Sequence, residues 1–159
     1  MIYYIAIFFI SMVPLIELRG AIPFSQGWNL NPIASYIICT IGNMVPVPII
    51  FLFARRFLEW GKDKNLIGKI CTFFLTKGSS AGQKLQAKAG RGLFLALMLF
   101  VAIPLPGTGA WTGTLGASLI DMKFKDTTLA VMCGVLIAGV IMMLASIGVF
   151  DGLSALFAK

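Results

Sequence analysis

The stretch Pro104 to Gly116, PLPGTGAWTGTLG, places the hardest constraint on how this chain folds. It carries four glycines and closes an apolar run of fourteen residues, Leu93 to Pro106. As a helix that run covers about 21 Å, short of the ~30 Å hydrocarbon core, so it enters a bilayer without crossing it. The chain then has to turn inside the membrane. Backbone outside a helix finds no hydrogen-bond partner in lipid, and at that depth it is stable only against protein or a water-filled cavity. The tip is therefore read as an internal site. The competing reading is one long kinked helix over 93–120, in which the glycines and threonines serve only close packing.

Both readings need a membrane, and composition supplies one. With 58% hydrophobic residues, 12% charged residues and a mean hydropathy of +0.93, the chain reads as an integral membrane protein of one domain. Its amino end, MIYYIAIFFI, lacks a basic leader and a small-residue cleavage site, so it is read as retained structure. Cys39, Cys71 and Cys133 are odd in number and far apart, which fits buried thiols and neither a disulfide framework nor a metal spacing. There is no histidine, which excludes His-based triads, imidazole acid–base pairs and His-ligated metals. No catalytic residue, metal or cofactor is expected, and an enzyme is set aside.

In chain order, Met1 to Ile16 is a second short apolar run, interrupted by Pro14 and ended by ELRGAIP at 17–23. After Gly27 and Asn31-Pro32 comes Ile33 to Ala54, long enough to cross. Arg55 and Arg56 stop it. From Arg55 to Arg91 the chain carries nine of its thirteen basic residues and two of its six acidic ones, a net +7 that equals the charge of the whole chain. Basic loops stay cytoplasmic, so this connector is expected inside and both termini outside the cell membrane. Within it, FLEWGKDKNLIGKICTFFL at 57–75 suits an amphipathic interfacial helix on anionic headgroups, and a nucleic-acid role is set aside. Leu129 to Phe150 supplies the other full span. Ala130, Gly134 and Ala138 form a small-residue stripe along it, suited to close approach of another helix.

The chain thus states one pattern twice: short apolar run, Gly/Pro-rich break, full span. The breaks align without gaps, GAIPFSQG at 20–27 against GAWTGTLG at 109–116, matching Gly20 with Gly109, Ala21 with Ala110 and Gly27 with Gly116. One crossing separates the two short runs, so hairpins that each return to their own side face one another. The expected fold is an all-α integral membrane protein with an inverted-topology repeat, each half a re-entrant helical hairpin followed by a transmembrane helix. Repeat 1 covers 1–55, the basic connector 56–92 and repeat 2 93–159, all in one membrane domain.

ELRGAIP near the amino end, the basic middle, PLPGTGAWTG and a closing hydrophobic helix together resemble the family of small multidrug export proteins, over nearly the whole chain. That family is related to the DedA (VTT-domain) membrane proteins. The resemblance implies paired re-entrant hairpins and proton-linked transport, in some DedA members of the carrier lipid undecaprenyl phosphate. Such members carry acidic residues in the first hairpin and arginines in the second. Glu17 matches the first requirement; Leu93 to Ile120 contains no arginine or lysine and does not match the second.

The residues themselves point to a transport site. Glu17 and Arg19 are the only charged side chains before Arg55, and charge at membrane depth is costly and usually functional. A Glu–Arg pair freed by a helix end at Gly20 and Pro23 can exchange a proton with a substrate. The alternative is a thin spanning helix over 1–16 that leaves both charges among the headgroups. In the second break, a half-helix beginning near TGTLGASL offers free N–H groups and a positive dipole end to an anion. Gly107 and Gly109 would shape that site, the Thr108, Thr112 and Thr114 hydroxyls would add donors, and Trp111 would cover it. Thr40 and Asn43 either line the cavity or, the favoured reading, hydrogen-bond across helices. The expected function is a proton-coupled transporter of an amphipathic anion such as a polyprenyl-phosphate lipid. The alternatives are a proton-coupled exporter of lipophilic cations and a non-transporting scaffold. Membrane lipids, protons and a small amphipathic substrate are the expected partners, and a homodimer is expected, with the Ala130/Gly134/Ala138 stripe as a candidate interface.

Overall fold

The computed structural model describes residues 1–61, 72, 91–105 and 107–157. Among the described residues it is helical throughout and contains no strand: α1 (Ile2–Met12), α2 (Glu17–Gly27), α3 (Pro32–Met44), α4 (Pro46–Gly61), α5 (Arg91–Ala102), α6 (Ala110–Leu119) and α7 (Phe124–Phe157). Residues 32–54 and 124–148 are long and apolar enough to cross a membrane, whereas Ile2–Met12 and Gly92–Ala102 are short apolar helices. The second span therefore starts five residues earlier than hydropathy alone placed it. Of the interfacial segment expected at 57–75, α4 supplies the part up to Gly61; the rest, apart from Thr72, lies outside the described residues.

Proline sets where the short helices stop. Val13 precedes Pro14 and is extended, with φ −72° and ψ 131°, as the clash between proline Cδ and the preceding residue demands. So α1 ends at Met12, four residues short of the hydropathy run, and α5 ends likewise at Ala102, just before Ile103-Pro104. A new helix then starts at Glu17 and holds both Gly20 and Pro23, the residues that from sequence mark a helix end. Further on, Asn31 accepts the Ala34 N–H at 3.0 Å and Pro32 occupies the first turn, so the span opens on an ordinary cap. Val45 separates α3 from α4, where Pro46 and Pro48 supply no N–H.

α1 and α2 form a hairpin whose ends return to one level. The Tyr3 and Trp28 rings lie 5.0 Å apart, and the Asn31 N–H donates to the Tyr4 hydroxyl at 3.3 Å. The two long helices run antiparallel: Phe51 stacks edge-on against Phe124 at 5.3 Å, while near the other end the Tyr36 hydroxyl donates to the Leu136 carbonyl at 3.0 Å. Each short helix lies on the long helix of its own half, α1 on α3 and α5 on α7. The helices after the breaks cross over, α2 onto α7 and α6 onto α4. The core they enclose includes Ile7, Leu18, Ile22, Val101, Val131 and Val135.

Glycine at mid-span permits these contacts. A Cβ on Gly42 would meet the Ser11 hydroxyl and lie 2.6 Å from the Phe8 carbonyl. One on Gly134 would lie 2.7 Å from both the Met98 carbonyl and the Val101 Cβ. The Ala130/Gly134/Ala138 stripe is thus buried inside the chain, with Gly134 against α5, and is not offered to a second copy. Since backbone cannot move aside as a side-chain tip can, Gly134→Ala should destabilise the fold by about 1–3 kcal/mol. Gly116 faces open space in the middle of α6, so Gly116→Ala should be neutral or stabilise by up to about 1 kcal/mol. Thermal unfolding in detergent of the two variants checks the contrast, and equal melting shifts would contradict it.

Candidate functional site

The two breaks meet in the interior. Around the first, Leu15 (φ 74°) and Glu17 (φ 52°) both have left-handed backbone, which turns the chain sharply enough to aim the Glu17 side chain at the second break. The Glu17 carboxylate, only 4% exposed, accepts the N–H groups of Ala110 at 3.2 Å and Trp111 at 3.0 Å. These are the first two residues of α6, so a negative charge sits on the positive end of that helix and satisfies donors that lack an intrahelical partner. Gly109 makes room: its φ is 150°, and a Cβ there would strike the carboxylate, 2.7 Å from Cδ and from Oε1.

Arg19 serves the opposite pole. Its guanidinium donates to the carbonyls of Leu105, Val101 (3.1 Å) and Ile103 (3.2 Å), which lie at and beyond the end of α5. Cations are stabilised at a helix C-terminus for the same reason that anions are at its start. Trp111 returns the contact, its indole N–H donating to the Met12 carbonyl at the end of α1 at 3.1 Å. The first break therefore caps both helix ends of the second, and the second caps one end of the first. In a bilayer, neutral interhelical hydrogen bonds average about 0.6 kcal/mol, while bonds to charged groups contribute about 1.5–3 kcal/mol, so the two charges dominate this clasp.

The other residues singled out from sequence divide. Thr108 donates to the Ile103 (2.8 Å) and Leu105 (2.9 Å) carbonyls and so braces its own turn. Thr112 is exposed, Gly107 is exposed with φ 82°, and both line a cavity. Thr114 is fully buried with no partner for its hydroxyl. The half-helix begins at Ala110, two residues before TGTLGASL, and its first N–H groups are held by Glu17, not left for a substrate anion. Trp111 is tied to Met12 and forms wall, not lid. Asn43 is fully buried, yet neither amide atom has a partner, and the Thr40 hydroxyl has none either; the expected bonds across helices are not made, and neither residue lines the cavity.

That cavity, about 750 Å³, lies against the clasp. Its wall includes Glu17, Arg19, Phe53, Phe57, Trp111 and Met142 and is mostly apolar. Sequence reasoning missed Phe53, Phe57 and Met142, because a phenylalanine or methionine in a span looks the same whether it faces lipid or a cavity. The one available signal is that Ile50, Phe53, Ala54 and Phe57 share a helical face at spacings of three and four.

The volume is of the size that holds small organic ligands, and such sites are typically apolar with a few polar groups. No curated protein and no solved structure matches the chain. A family model matches residues 17–141, which take in Glu17, Arg19, the second break and most of the second span, and the chain belongs to that family, described as "Putative small multi-drug export protein".

Proposed function

We propose that the chain is a proton-coupled exporter of small lipophilic cations, with the apolar cavity as the substrate site and Glu17 as the group that a proton and the cation use in turn. The observation that carries this reading is a buried carboxylate in the wall of a mostly apolar cavity of ligand size. Arg19 keeps its positive charge in the same wall, but its guanidinium donates to three carbonyls of the other break and not to the Glu17 carboxylate. The anion reading is weaker, because it needs the N–H groups that Glu17 occupies. Protonating Glu17 replaces charged hydrogen bonds by neutral ones, which loosens α6 from the first break and links proton binding to movement of the tips.

In this reading the two hairpins are re-entrant and the halves form an inverted repeat. Support comes from matched positions: Pro14-Leu15 with Pro104-Leu105 and Gly42 with Gly134 occur at equivalent points, and each of those two glycines abuts a short-helix carbonyl at mid-span. The basic connector then lies in the cytoplasm and the termini outside. With the three native cysteines replaced, single cysteines at Lys77, Lys84 or Lys88 should react with an impermeant thiol reagent only from the cytoplasmic side. A cytoplasmic amino terminus would sink the first hairpin.

The transport assay is direct. Proteoliposomes loaded with ethidium should release it when the outside is acidified, and protein-free vesicles should not. Release independent of the pH gradient would remove proton coupling. Binding of a polyprenyl phosphate without binding of ethidium to the purified protein would restore the anion reading.

A further inference from the structure

The cavity carries at its rim large apolar residues that nothing among the described residues covers. Leu15 is 88% exposed, Phe53 67%, Phe57 56% and Leu105 56%, and all four line it. Its depth follows from the mid-span glycines. Gly42 is the eleventh of the 23 residues of the 32–54 span and abuts Phe8 and Ser11, just before the first break; Gly134 is the eleventh of the 25 residues of the 124–148 span and abuts Val101, just before the second. The tips that form the back wall therefore lie near the centre of both spans. From there the space runs to the end of the 32–54 span, where Phe53, Ala54 and Phe57 line it, and water loses its own hydrogen bonds against so apolar a wall. A void of this size is not left empty either, since every lining atom would forfeit its dispersion contacts.

We propose that an acyl chain of a bilayer lipid occupies the cavity whenever substrate is absent, lying against Trp111 and Phe53, so that a lipophilic substrate enters from the hydrocarbon by displacing it. The polar groups of the clasp do not oppose this occupant. Glu17 and the two guanidinium ends of Arg19 are hydrogen-bonded to backbone at the back of the cavity, while the Arg19 Nε is buried without a partner. A lipid tail thus meets a wall that is apolar over most of its area.

The inference concerns the same cavity as the export reading, but its test involves no transport, so the two stand or fall separately. The chain has three tryptophans, Trp28, Trp60 and Trp111, and Trp28→Phe with Trp60→Phe leaves Trp111 as the only one. This full-length variant is reconstituted into phosphatidylcholine carrying bromines either deep in the acyl chain or near the headgroup. Trp111 should lose most of its emission to the deep bromines and much less to the shallow ones. Adding tetraphenylphosphonium should restore the emission, and Ala54→Phe, which fills the cavity from α4, should reduce the quenching in the absence of ligand. Emission unaffected by deep bromines in a folded, reconstituted protein would overturn the proposal, because it would mean that water, residues 62–90 or a second copy fills the space. Deep quenching that Ala54→Phe leaves unchanged would also overturn it, since the bromines would then reach Trp111 by another route.

Discussion

Glu17→Gln should abolish the dependence of cation efflux on a pH gradient while leaving the protein folded. The amide has the same shape and its oxygen still accepts an N–H from Ala110 or Trp111, while the other N–H faces the amide NH2 and loses its partner, so the clasp loosens by one bond. What disappears is the negative charge on the α6 dipole and the strength it lends each bond, a loss of about 1–3 kcal/mol. That much stability is affordable for a domain of ordinary size. An amide releases no proton at any physiological pH, so a carrier that alternates proton and cation on this group has nothing left to alternate. Efflux in the variant should fall to the level of protein-free vesicles at every imposed gradient. Wild-type gradient dependence in Glu17→Gln vesicles would remove Glu17 from the mechanism and leave it as a structural cap. Arg19→Ala serves as the companion: it frees three carbonyls at the end of α5, and each charged bond lost costs about 1.5–3 kcal/mol, so its main effect should be on melting temperature, with cation binding unchanged or improved as a positive charge leaves the cavity wall.

Gly109→Ala should be among the most damaging single substitutions in the chain, at about 4 kcal/mol or more, in the range reserved for a named structural failure. Two effects add. The backbone at φ 150° is strained for any residue with a Cβ, by about 1–3 kcal/mol. The new methyl also strikes the Glu17 carboxylate and drives it off both N–H groups, leaving a buried charge and two unpaired donors. Gly107→Ala separates the effects, because its φ of 82° carries the backbone cost while a Cβ there meets nothing. It should cost about 1–2 kcal/mol. A double-mutant cycle makes the test sharper: in a Glu17→Ala background, Gly109→Ala should fall to the same cost as Gly107→Ala, since the collision is gone. Equal costs for Gly109→Ala in both backgrounds would show that the carboxylate does not sit where the clasp requires.

Much of the architecture was legible because the bilayer imposes lengths. Runs of eleven or twelve helical residues cannot cross and runs of more than twenty can, so the order short, break, long, repeated, follows from hydropathy and from Pro14 and Pro104. Glu17 and Arg19 stood out for a similar reason, as two charges alone among some fifty uncharged residues. Their partners did not stand out. They are main-chain N–H and C=O groups more than eighty residues away, and such groups carry no identity that a sequence can display. The same blindness made the threonines of the second break look like ligand donors, although Thr108 spends its hydroxyl on its own turn and Thr114 is sealed in the interior.

By itself, then, the sequence determined the class, the spans, the two breaks and the two charges, because each follows from transfer free energies and from backbone restrictions that act within a few residues. Tertiary structure decided what those parts face. Whether Ala130, Gly134 and Ala138 receive the chain's own helices or a second copy, whether Phe53 and Phe57 line a cavity or only touch lipid, and whether the start of α6 holds a substrate or the chain's own Glu17 all turn on which helices lie side by side. Hydrophobic burial is non-directional and scales with area, so many pairings satisfy the same pattern. The one observed is selected by close approach at Gly42, Gly134 and Gly109 and by two charges that fit the ends of helices from the other half.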